Sequence, residues 1–165
     1  IQEIKKKSIS KLKLCWIGDA NNNMMNSLIE ACIKFSVSLN IACPKDYQPN
    51  KYLILLIKKQ KGKIKIFNKK EIAVKNSDVV MTDKIISLND KVNKKKKLKS
   101  FKNFKVDTKT MNLAKKDAIF LHCLPRGSEV TEEVFLGKQS KVWQQALNRV
   151  YVQKSILLYC FGKLR

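Results

Sequence analysis

The sequence predicts an α/β fold, a doubly wound, mainly parallel sheet flanked by helices in a single domain. Two observations carry this prediction. Short apolar runs of strand length alternate along the chain with longer segments of helical period. Strands separated by helical segments pair in parallel through right-handed crossovers, which place helices on the faces of the sheet. A length of 165 residues suffices for one domain with a proper core and is too short for two ordinary ones.

Six short segments have the composition of strands. Most are apolar runs, as expected for strands covered on both faces, whereas one alternates with a period of two. In chain order the segments are LKLCWIG, NIACP, the alternating KIKIF, DVVMTD, the brief edge strand FKV, and AIFLHCLP. We expect the first strand to end at Gly18 and the second to be closed by Pro44.

The segments between these strands predict helices, so the fold is expected to be Rossmann-like. One segment, MMNSLIEACIKFSVSL, spaces six apolar residues to share one helical face: Met24, Leu28, Ala31, Cys32, Phe35 and Leu39. The other predicted helices are YLILLIKKQKG, the short turn EIAVKN, KVNKKKKLKSFKN, TKTMNLAKK and the long final KVWQQALNRVYVQKSILLYCF. Residues 1–10 are expected to form a basic lead or linker, and residues 11–165 the domain.

The charge of the chain is unusual, because 35 Lys and Arg against 13 Asp and Glu give a net charge of +22. Such a charge suggests nucleic acid or an anionic membrane as the partner. Two features argue against nucleic acid. All but three of the basic residues are lysines, whereas phosphate and base readout favour arginine. The lysines are also scattered through every segment, so a basic nucleic-acid-binding protein is kept only as an alternative.

Cysteine usage and the N-terminal segment limit the compartments in which the protein is expected. The five cysteines have no C-x-x-C pair and no regular spacing, so the sequence predicts neither a disulfide framework nor a metal site. It predicts a reducing compartment instead. No stretch approaches the ~18 consecutive apolar residues of a membrane helix. The first residues, IQEIKKKSISK, lack the apolar core of a secretory signal. Because the chain begins at Ile1 rather than Met, we expect it to be a fragment.

Three polar loops mark where a site would lie. In a doubly wound sheet, ligands bind at the carboxyl ends of the strands, near the switch in strand order. The loops at these ends are GDANNN (18–23), TDKIISLND (82–90) and HCLPRG (122–127). Polar loops at strand ends are common, so this argument gives only the position of a candidate site.

Taken together, the three loops resemble signature segments of ornithine carbamoyltransferases, specifically of their ornithine-binding domain. The similarity covers about residues 10–165 in the correct order. The similar segments are WIGDANNNMMNSLIEACIKF, ACPKDYQP, SDVVMTDKIISL, FLHCLPRGSEVTEEVF and VWQQALNRVYVQKSILL. Aspartate carbamoyltransferases, the nearest relatives, carry H-P-L-P where this chain has H-C-L-P, so Cys123 favours ornithine.

The resemblance implies a transferase of arginine biosynthesis and the urea cycle. In this family the δ-amine of L-ornithine attacks the carbonyl carbon of carbamoyl phosphate, giving citrulline and phosphate. It implies no cofactor and no metal. It also implies a separate N-terminal domain for carbamoyl phosphate and a homotrimer. The expected compartment is the mitochondrial matrix in a eukaryote or the cytoplasm in a bacterium, without secretion.

For the ornithine end, the resemblance assigns roles to four residues. Asn23 would hold the amino-acid end of ornithine, with its neighbour Asn22 as a less favoured substitute. Asp83 would anchor the ammonium and help to accept its proton, and Ser87 and Leu88 would close over the ligand. The alternative for both Asn23 and Asp83 is helix capping, a common use of these residue types.

For the reacting end, the resemblance implies that Cys123 offers its sulfur, which as a thiolate would favour the δ-ammonium. Leu124 would offer its backbone carbonyl. No thioester between Cys123 and the substrate is implied. His122 points away from Cys123 if the strand is regular, so the two make a poor nucleophilic pair, and His122 would meet the carbamoyl oxygen instead. Pro125 is expected to follow a cis peptide bond. Arg149 would reach the carbamoyl carbonyl. The alternatives are an inert thiol at Cys123 and an ordinary surface cation at Arg149.

Several positions depart from the family pattern. Ile85, Leu88 and Asn89 replace Trp, Met and Gly, and Gln145 and Leu147 replace two acids. These departures support a second interpretation, a degenerate and non-catalytic homologue. The Ser-x-Arg-Thr and His-Pro-x-x motifs of the family's N-terminal domain do not occur in this sequence. We therefore expect the isolated chain to bind ornithine weakly and to turn over negligibly.

Overall fold

A computed structural model describes residues 1–86 and 93–163 of the chain. In these residues five strands form one sheet in the order β3-β2-β1-β4-β5, and every neighbouring pair is parallel. The strands are β1 (Lys13–Ile17), β2 (Ser38–Ala42), β3 (Ile64–Phe67), β4 (Val79–Thr82) and β5 (Ile119–His122). The predicted α/β fold with a doubly wound parallel sheet is therefore confirmed.

Helices fill the connections between the strands and extend the chain at both ends. Within the described ranges they are α1 (Gln2–Lys5), α2 (Asn23–Lys34), α3 (Lys51–Lys59), α4 (Lys70–Val74), α5 (Lys94–Ser100), α6 (Thr108–Asn112), α7 (Glu132–Leu136) and α8 (Val142–Cys160). Short 3-10 turns cover Ile9–Lys11, Lys45–Tyr47 and Lys102–Phe104.

Four of these helices begin at an Asn or Asp whose side chain accepts a hydrogen bond from a backbone N–H in the first turn. The capping residues are Asn22 for α2, Asn50 for α3, Asn93 for α5 and Asp107 for α6. The first N–H groups of a helix have no partner within the helix, so a side-chain acceptor at this position stabilises the start. Local sequence thus fixes where these helices begin.

The core lies in two layers, one on each face of the sheet. Successive residues of a strand face opposite sides, so Cys15 and Ile17 of β1 lie in one layer and Trp16 lies in the other. Phe120 of β5 packs in the Cys15 layer, together with side chains of α4, α6, α7 and α8. The Trp16 layer is covered by residues of α2 and α3.

Helix α2 is shorter than predicted. It ends at Lys34, and Leu39 belongs to β2. The left-handed backbone of Ser36, with φ of 55°, turns the chain out of the helix. The residues that α2 buries are Met25, Ile29 and Cys32. Of the six residues predicted to share one face, only Cys32 is fully buried within the helix.

Two further expectations were wrong or incomplete. The predicted strand FKV is not part of the sheet, because Val106 forms only an isolated bridge to Val130. Helix α7 follows directly from this bridge and was not predicted. Both elements depend on a contact between segments about 24 residues apart, which periodicity within one segment does not reveal.

Residues 1–10, predicted as a lead or linker, pack against the domain. Ile1, Ile4 and Ile9 contact the Trp16 layer. Lys5 is buried, and its Nζ lies 2.6 Å from the Asp117 carboxylate. The basic N-terminal segment is therefore held by apolar contacts and by an ion pair.

Helix α8 has an unusually exposed surface. Val142 is the one fully buried residue in its 19-residue span. Large apolar side chains of α8 that are more than half exposed are Trp143, Leu147, Val150, Tyr151, Val152, Ile156, Leu157 and Tyr159. Within the described ranges, no helix combines the length and the apolar character needed to cross a membrane.

We predict that replacing Phe120 with alanine lowers the free energy of unfolding by about 3–5 kcal/mol, because its fully buried ring would leave a cavity between the sheet and its helices. Urea unfolding measures this change. Phe161→Ala is the matched control, since that ring is 75% exposed, and it should change stability by less than about 0.5 kcal/mol. Equal losses in the two variants would contradict the packing described for the core.

Candidate functional site

The three polar loops meet at the carboxyl edge of the sheet. Strand β4 pairs with β1 on one side and with β5 on the other. Thr82 is paired in register with His122, so the next residues, Asp83 and Cys123, leave neighbouring strands side by side. Sheet order thus brings together residues that are 40 positions apart in the sequence.

The first loop is held by a buried ion pair. The Asp19 carboxylate lies 2.7 Å from Lys97 Nζ, and both side chains are almost fully buried. Its other oxygen accepts a hydrogen bond from the Asn21 N–H at 2.9 Å. The Lys97 ammonium also lies over the Tyr47 ring, 5.6 Å from its centroid. Helix α5 is therefore tied to the end of β1.

Two asparagines of this loop differ in their hydrogen bonds, because Asn22 has partners within the protein and Asn23 has none in the described part of the chain. Asn22 caps α2 by accepting from the Met25 N–H at 2.8 Å, and its amide donates to the Asp19 carbonyl at 3.0 Å. Asn23 is exposed, and its side chain makes no hydrogen bond to the described part of the chain. Capping therefore accounts for Asn22 and leaves the Asn23 amide open to a ligand.

Asp83 is half-buried at the end of β4. One of its carboxylate oxygens accepts a hydrogen bond from the Lys84 N–H at 2.8 Å. No helix begins at this position, so Asp83 is not a helix cap. Ser87 and Leu88, predicted to close over the ligand, lie outside the described residues, and their role stays a prediction.

Cys123 is half-buried at the end of β5. Burial raises the pKa of its thiol above the usual value, and the negative charge of Asp83 raises this pKa further. The neutral thiol is therefore favoured near neutral pH, which does not fit the expectation that a Cys123 thiolate attracts the δ-ammonium. The anion of this pair is Asp83.

His122 is buried and faces the protein interior. Its Nε2 lies 2.8 Å from the Glu129 carboxylate, and its Nδ1 contacts the carbonyl oxygen of Cys123. The same Glu129 oxygen accepts from the Gly127 N–H at 2.6 Å. Both ring nitrogens thus have protein partners, and the predicted contact with a carbamoyl oxygen finds no support. This geometry makes His122 a positioning residue for the loop.

The rest of that loop has the predicted shape. The Leu124–Pro125 peptide bond is cis, as expected from the sequence. Leu124 is exposed, with 44% of its surface accessible. The loop therefore presents Leu124 outward while His122 and Glu129 anchor it from inside.

Arg149 lies on an exposed part of α8. Within the described ranges no carboxylate lies within ion-pair distance of its guanidinium. One turn earlier, Gln145 accepts a hydrogen bond from the His122 N–H at 3.1 Å, so this substitute for a family acid still ties α8 to β5. Asn148 is fixed separately, by a 3.1 Å hydrogen bond to Glu3.

Sequence reasoning missed several polar groups near the site. Lys97, the buried ion-pair partner of Asp19, and Glu129, the buried hydrogen-bond partner of His122, were not singled out. The side-chain oxygens of Asn26 and Thr82 are buried and have no hydrogen-bond partner among the described residues. Thr82 could have been predicted to lie near the site, because it directly precedes Asp83 in the sequence. Over the residues described, no group of three or more His, Cys, Asp or Glu could hold a metal ion.

Polar loops converge beyond β1, β4 and β5 of a doubly wound sheet, which is the position where domains of this class bind small ligands. Residues 10–160 match the family model described as "Aspartate/ornithine carbamoyltransferase, Asp/Orn binding domain". The chain therefore belongs to the aspartate/ornithine carbamoyltransferase family.

Individual relatives agree with this assignment. The ornithine carbamoyltransferase of Methanococcus maripaludis strain C5 is 44% identical over 163 residues, covering 94% of this chain and 53% of the relative. The crystal structure of the anabolic ornithine carbamoyltransferase from Campylobacter jejuni matches with a TM-score of 0.86 at 36% identity, covering 96% of this chain and 55% of that one. The Pyrococcus furiosus ornithine carbamoyltransferase gives a TM-score of 0.86 at 33% identity, covering 100% and 54%. The chain thus spans about half the length of these relatives.

We predict that Glu129→Gln lowers the free energy of unfolding by about 2 kcal/mol near neutral pH, because a charged partner of His122 is lost in the interior. Burial raises the pKa of Glu129, but hydrogen bonds from His122 and Gly127 lower it more, so the net value lies below the ordinary 4.5. The carboxylate therefore stabilises the fold above about pH 4.5, and this contribution is lost as the pH falls below that value.

Urea unfolding at several pH values tests this prediction. The stability gap between wild type and Glu129→Gln should be widest near neutral pH and should narrow below 4.5. Glu30→Gln, at an exposed position of α2, is the control and should leave the unfolding free energy almost unchanged. A gap that stays constant with pH would show that the Glu129 charge does not hold the loop.

Proposed function

We propose that this chain forms the ornithine-binding half of an ornithine carbamoyltransferase. The observation that carries the proposal is the placement of Asp83 beside Cys123 at neighbouring strand ends, within a domain of this family. Cys123 belongs to the H-C-L-P loop, whose cysteine favours ornithine over aspartate. Relatives named ornithine carbamoyltransferase match nearly the whole chain.

The charge at the site suits the side-chain amine of ornithine. In water the δ-amine is an ammonium, and it must lose a proton before it can act as a nucleophile. The Asp83 carboxylate attracts the ammonium and is placed to help accept its proton. The neutral Cys123 thiol beside it offers a polarisable sulfur and no competing charge. The Asn23 amide can both donate to and accept from the amino-acid end.

The carbamoyl end requires groups for a developing oxyanion. In the reaction a C–N bond forms to the δ-nitrogen, the C–O bond to phosphate breaks, and phosphate leaves with that electron pair. The Arg149 guanidinium is the cation of this chain that we assign to the carbonyl oxygen. The Leu124 carbonyl accepts from the carbamoyl NH₂ or the amine. His122 acts through the loop and not on the substrate.

The remaining parts of the reaction are assigned to other regions of the full-length protein. We infer that carbamoyl phosphate is bound mainly by a second half, since the chain spans about half of its relatives. The exposed apolar surface of α8 supports a further part packing there. A homotrimer, and a mitochondrial or cytoplasmic compartment according to the host, are inferred from the family.

A degenerate, non-catalytic homologue is the second candidate. The observation that favours it is the absence of an acidic partner for Arg149 among the described residues, where the family pattern has acids at positions 145 and 147. An unsupported guanidinium would be less well oriented toward a carbonyl. The two candidates differ in turnover and not in ornithine binding.

We predict that Asp83→Asn weakens L-ornithine binding at least about tenfold, because the variant loses a charged partner of the δ-ammonium. Binding of L-norvaline, which lacks the δ-amine, should change less than about twofold. Calorimetric titration of the two ligands measures both affinities. Asp46→Asn, at an exposed position after β2, is the matched control. Parallel losses for both ligands would mean that Asp83 does not recognise the amine.

We also predict that the isolated chain forms citrulline at a negligible rate, because it lacks the phosphate-binding motifs of the family. Supplying the carbamoyl-phosphate half of a relative should raise the rate if the first candidate is correct. A citrulline assay with both substrates measures this effect. Turnover by the isolated chain near that of a full-length enzyme would contradict the division into halves. Ornithine binding without rescued turnover would favour the degenerate homologue.

A further inference from the structure

One face of the sheet carries a polar and cationic area where a parallel sheet is ordinarily apolar. Strands covered by helices on both faces usually read as continuous apolar runs. Strands β2 and β3 depart from this pattern, because the buried Asn40 of β2 is paired in register with Lys65, an exposed residue of the edge strand β3. Residues two apart share a face, and on this face Asn40 and Lys65 are joined by Ser38, Lys63 and, from β1, Lys13.

Helix α4 covers only the carboxyl half of this face. Its residues Ala73 and Val74 are buried against Ile17 and Ala42 near the strand ends. Beside α4, a groove of about 590 Å³ extends from the amino ends of β1 and β2 along β3 as far as Phe67. We call this feature the lysine groove; its lining residues are Lys13, Ser38, Asn40, Gly62, Lys63, Ile64, Lys65, Phe67, Ile72, Lys75 and Asn76.

The lining of the lysine groove is rich in cations. Among the described residues it includes four lysines and no carboxylate. Within residues 1–86 and 93–163, none of Lys13, Lys63, Lys65 and Lys75 forms an ion pair. Lys13 Nζ donates to the carbonyl oxygen of Lys75 at 2.7 Å, which satisfies one N–H but leaves the positive charge in place. Four like charges around one cavity repel each other, and an anion would relieve this repulsion.

We propose that the lysine groove binds a small organic anion that carries a diphosphate or longer phosphate group. Lysine ammoniums suit phosphate as point charges, and the cavity has the size of a small-molecule site. Phe67 and Ile72 supply apolar contacts for an organic part. Ser38 and Asn76 add polar groups.

A phosphate-bearing small molecule fits these features better than nucleic acid does. Among the described residues, the lining of the groove contains no arginine for bidentate readout, and its one aromatic residue is Phe67. The lining includes neither Asp83 nor Cys123, so the proposal does not depend on the proposed function.

Calorimetric titration with two probes, inorganic pyrophosphate and ADP, at about 50 mM salt tests the proposal. The double variant Lys63→Gln with Lys65→Gln removes two charges from the groove. The control double variant, Lys109→Gln with Lys154→Gln, removes two charges from exposed positions of α6 and α8. Circular dichroism checks that each variant is folded. Lys75→Gln is a second variant outside the strands, in case the β3 changes disturb the edge of the sheet.

We expect the groove variants to bind the probes about tenfold more weakly than wild type, and the control to differ by less than about twofold. Tighter binding of ADP than of pyrophosphate would show that the organic part contributes, whereas equal affinities would show that the phosphates alone are recognised. Equal losses in the groove and control variants would overturn the proposal. So would a wild-type chain that binds neither probe, or one that binds only a single-stranded oligonucleotide.

Discussion

The position of β1 in the sheet is the constraint on which the candidate site depends. The chain builds β1, β2 and β3 outward in one direction, then returns to place β4 on the other side of β1. The connections after β1 and β4 therefore diverge to opposite sides, and a crevice opens between them. Asp83 reaches this crevice because β4 is next to β1, and Cys123 reaches it because β5 is next to β4. Without this reversal, the three polar loops would be spread along the sheet.

Two buried pairs of polar side chains hold the loops that this topology brings together. Asp19 and Lys97 join the first loop to α5, and His122 and Glu129 fix the H-C-L-P loop from inside. Burying charged groups costs desolvation energy, so such pairs are weak evidence for added stability. Their common feature is position in the chain, since Asp19 lies shortly before Asn23 and His122 directly precedes Cys123. We interpret them as groups that fix geometry in a chain whose other charges are mostly solvated lysines.

The sequence was sufficient for the parts of the fold that depend on local chemistry. Apolar runs located β1, β2, β4 and β5, because a strand covered on both faces is apolar on both, and period-two alternation located the edge strand β3. The periodicity of apolar residues within one segment could not predict the left-handed turn at Ser36 or the bridge between Val106 and Val130. The end of α2 and the segment FKV were therefore misassigned. Strand-end position and resemblance singled out Asp83 and Cys123, which the sheet order places at neighbouring strand ends. Lys97 was not singled out, because a lysine in a lysine-rich helix gives no sign of an ion pair with a buried Asp 78 positions earlier.

The protein separates its charges along the strands. At the carboxyl ends the site presents the Asp83 carboxylate, which suits a cationic amine, and at the amino ends the lysine groove presents four cations. A strand of four or five residues spans about 15 Å, roughly twice the screening length of about 8 Å at physiological ionic strength. The part of the interaction that passes through solvent is therefore largely screened, whereas the part that passes through the buried sheet is screened much less. An anion in the groove would thus influence the amine at the opposite edge mainly through β1, β2 and the helices that cover them.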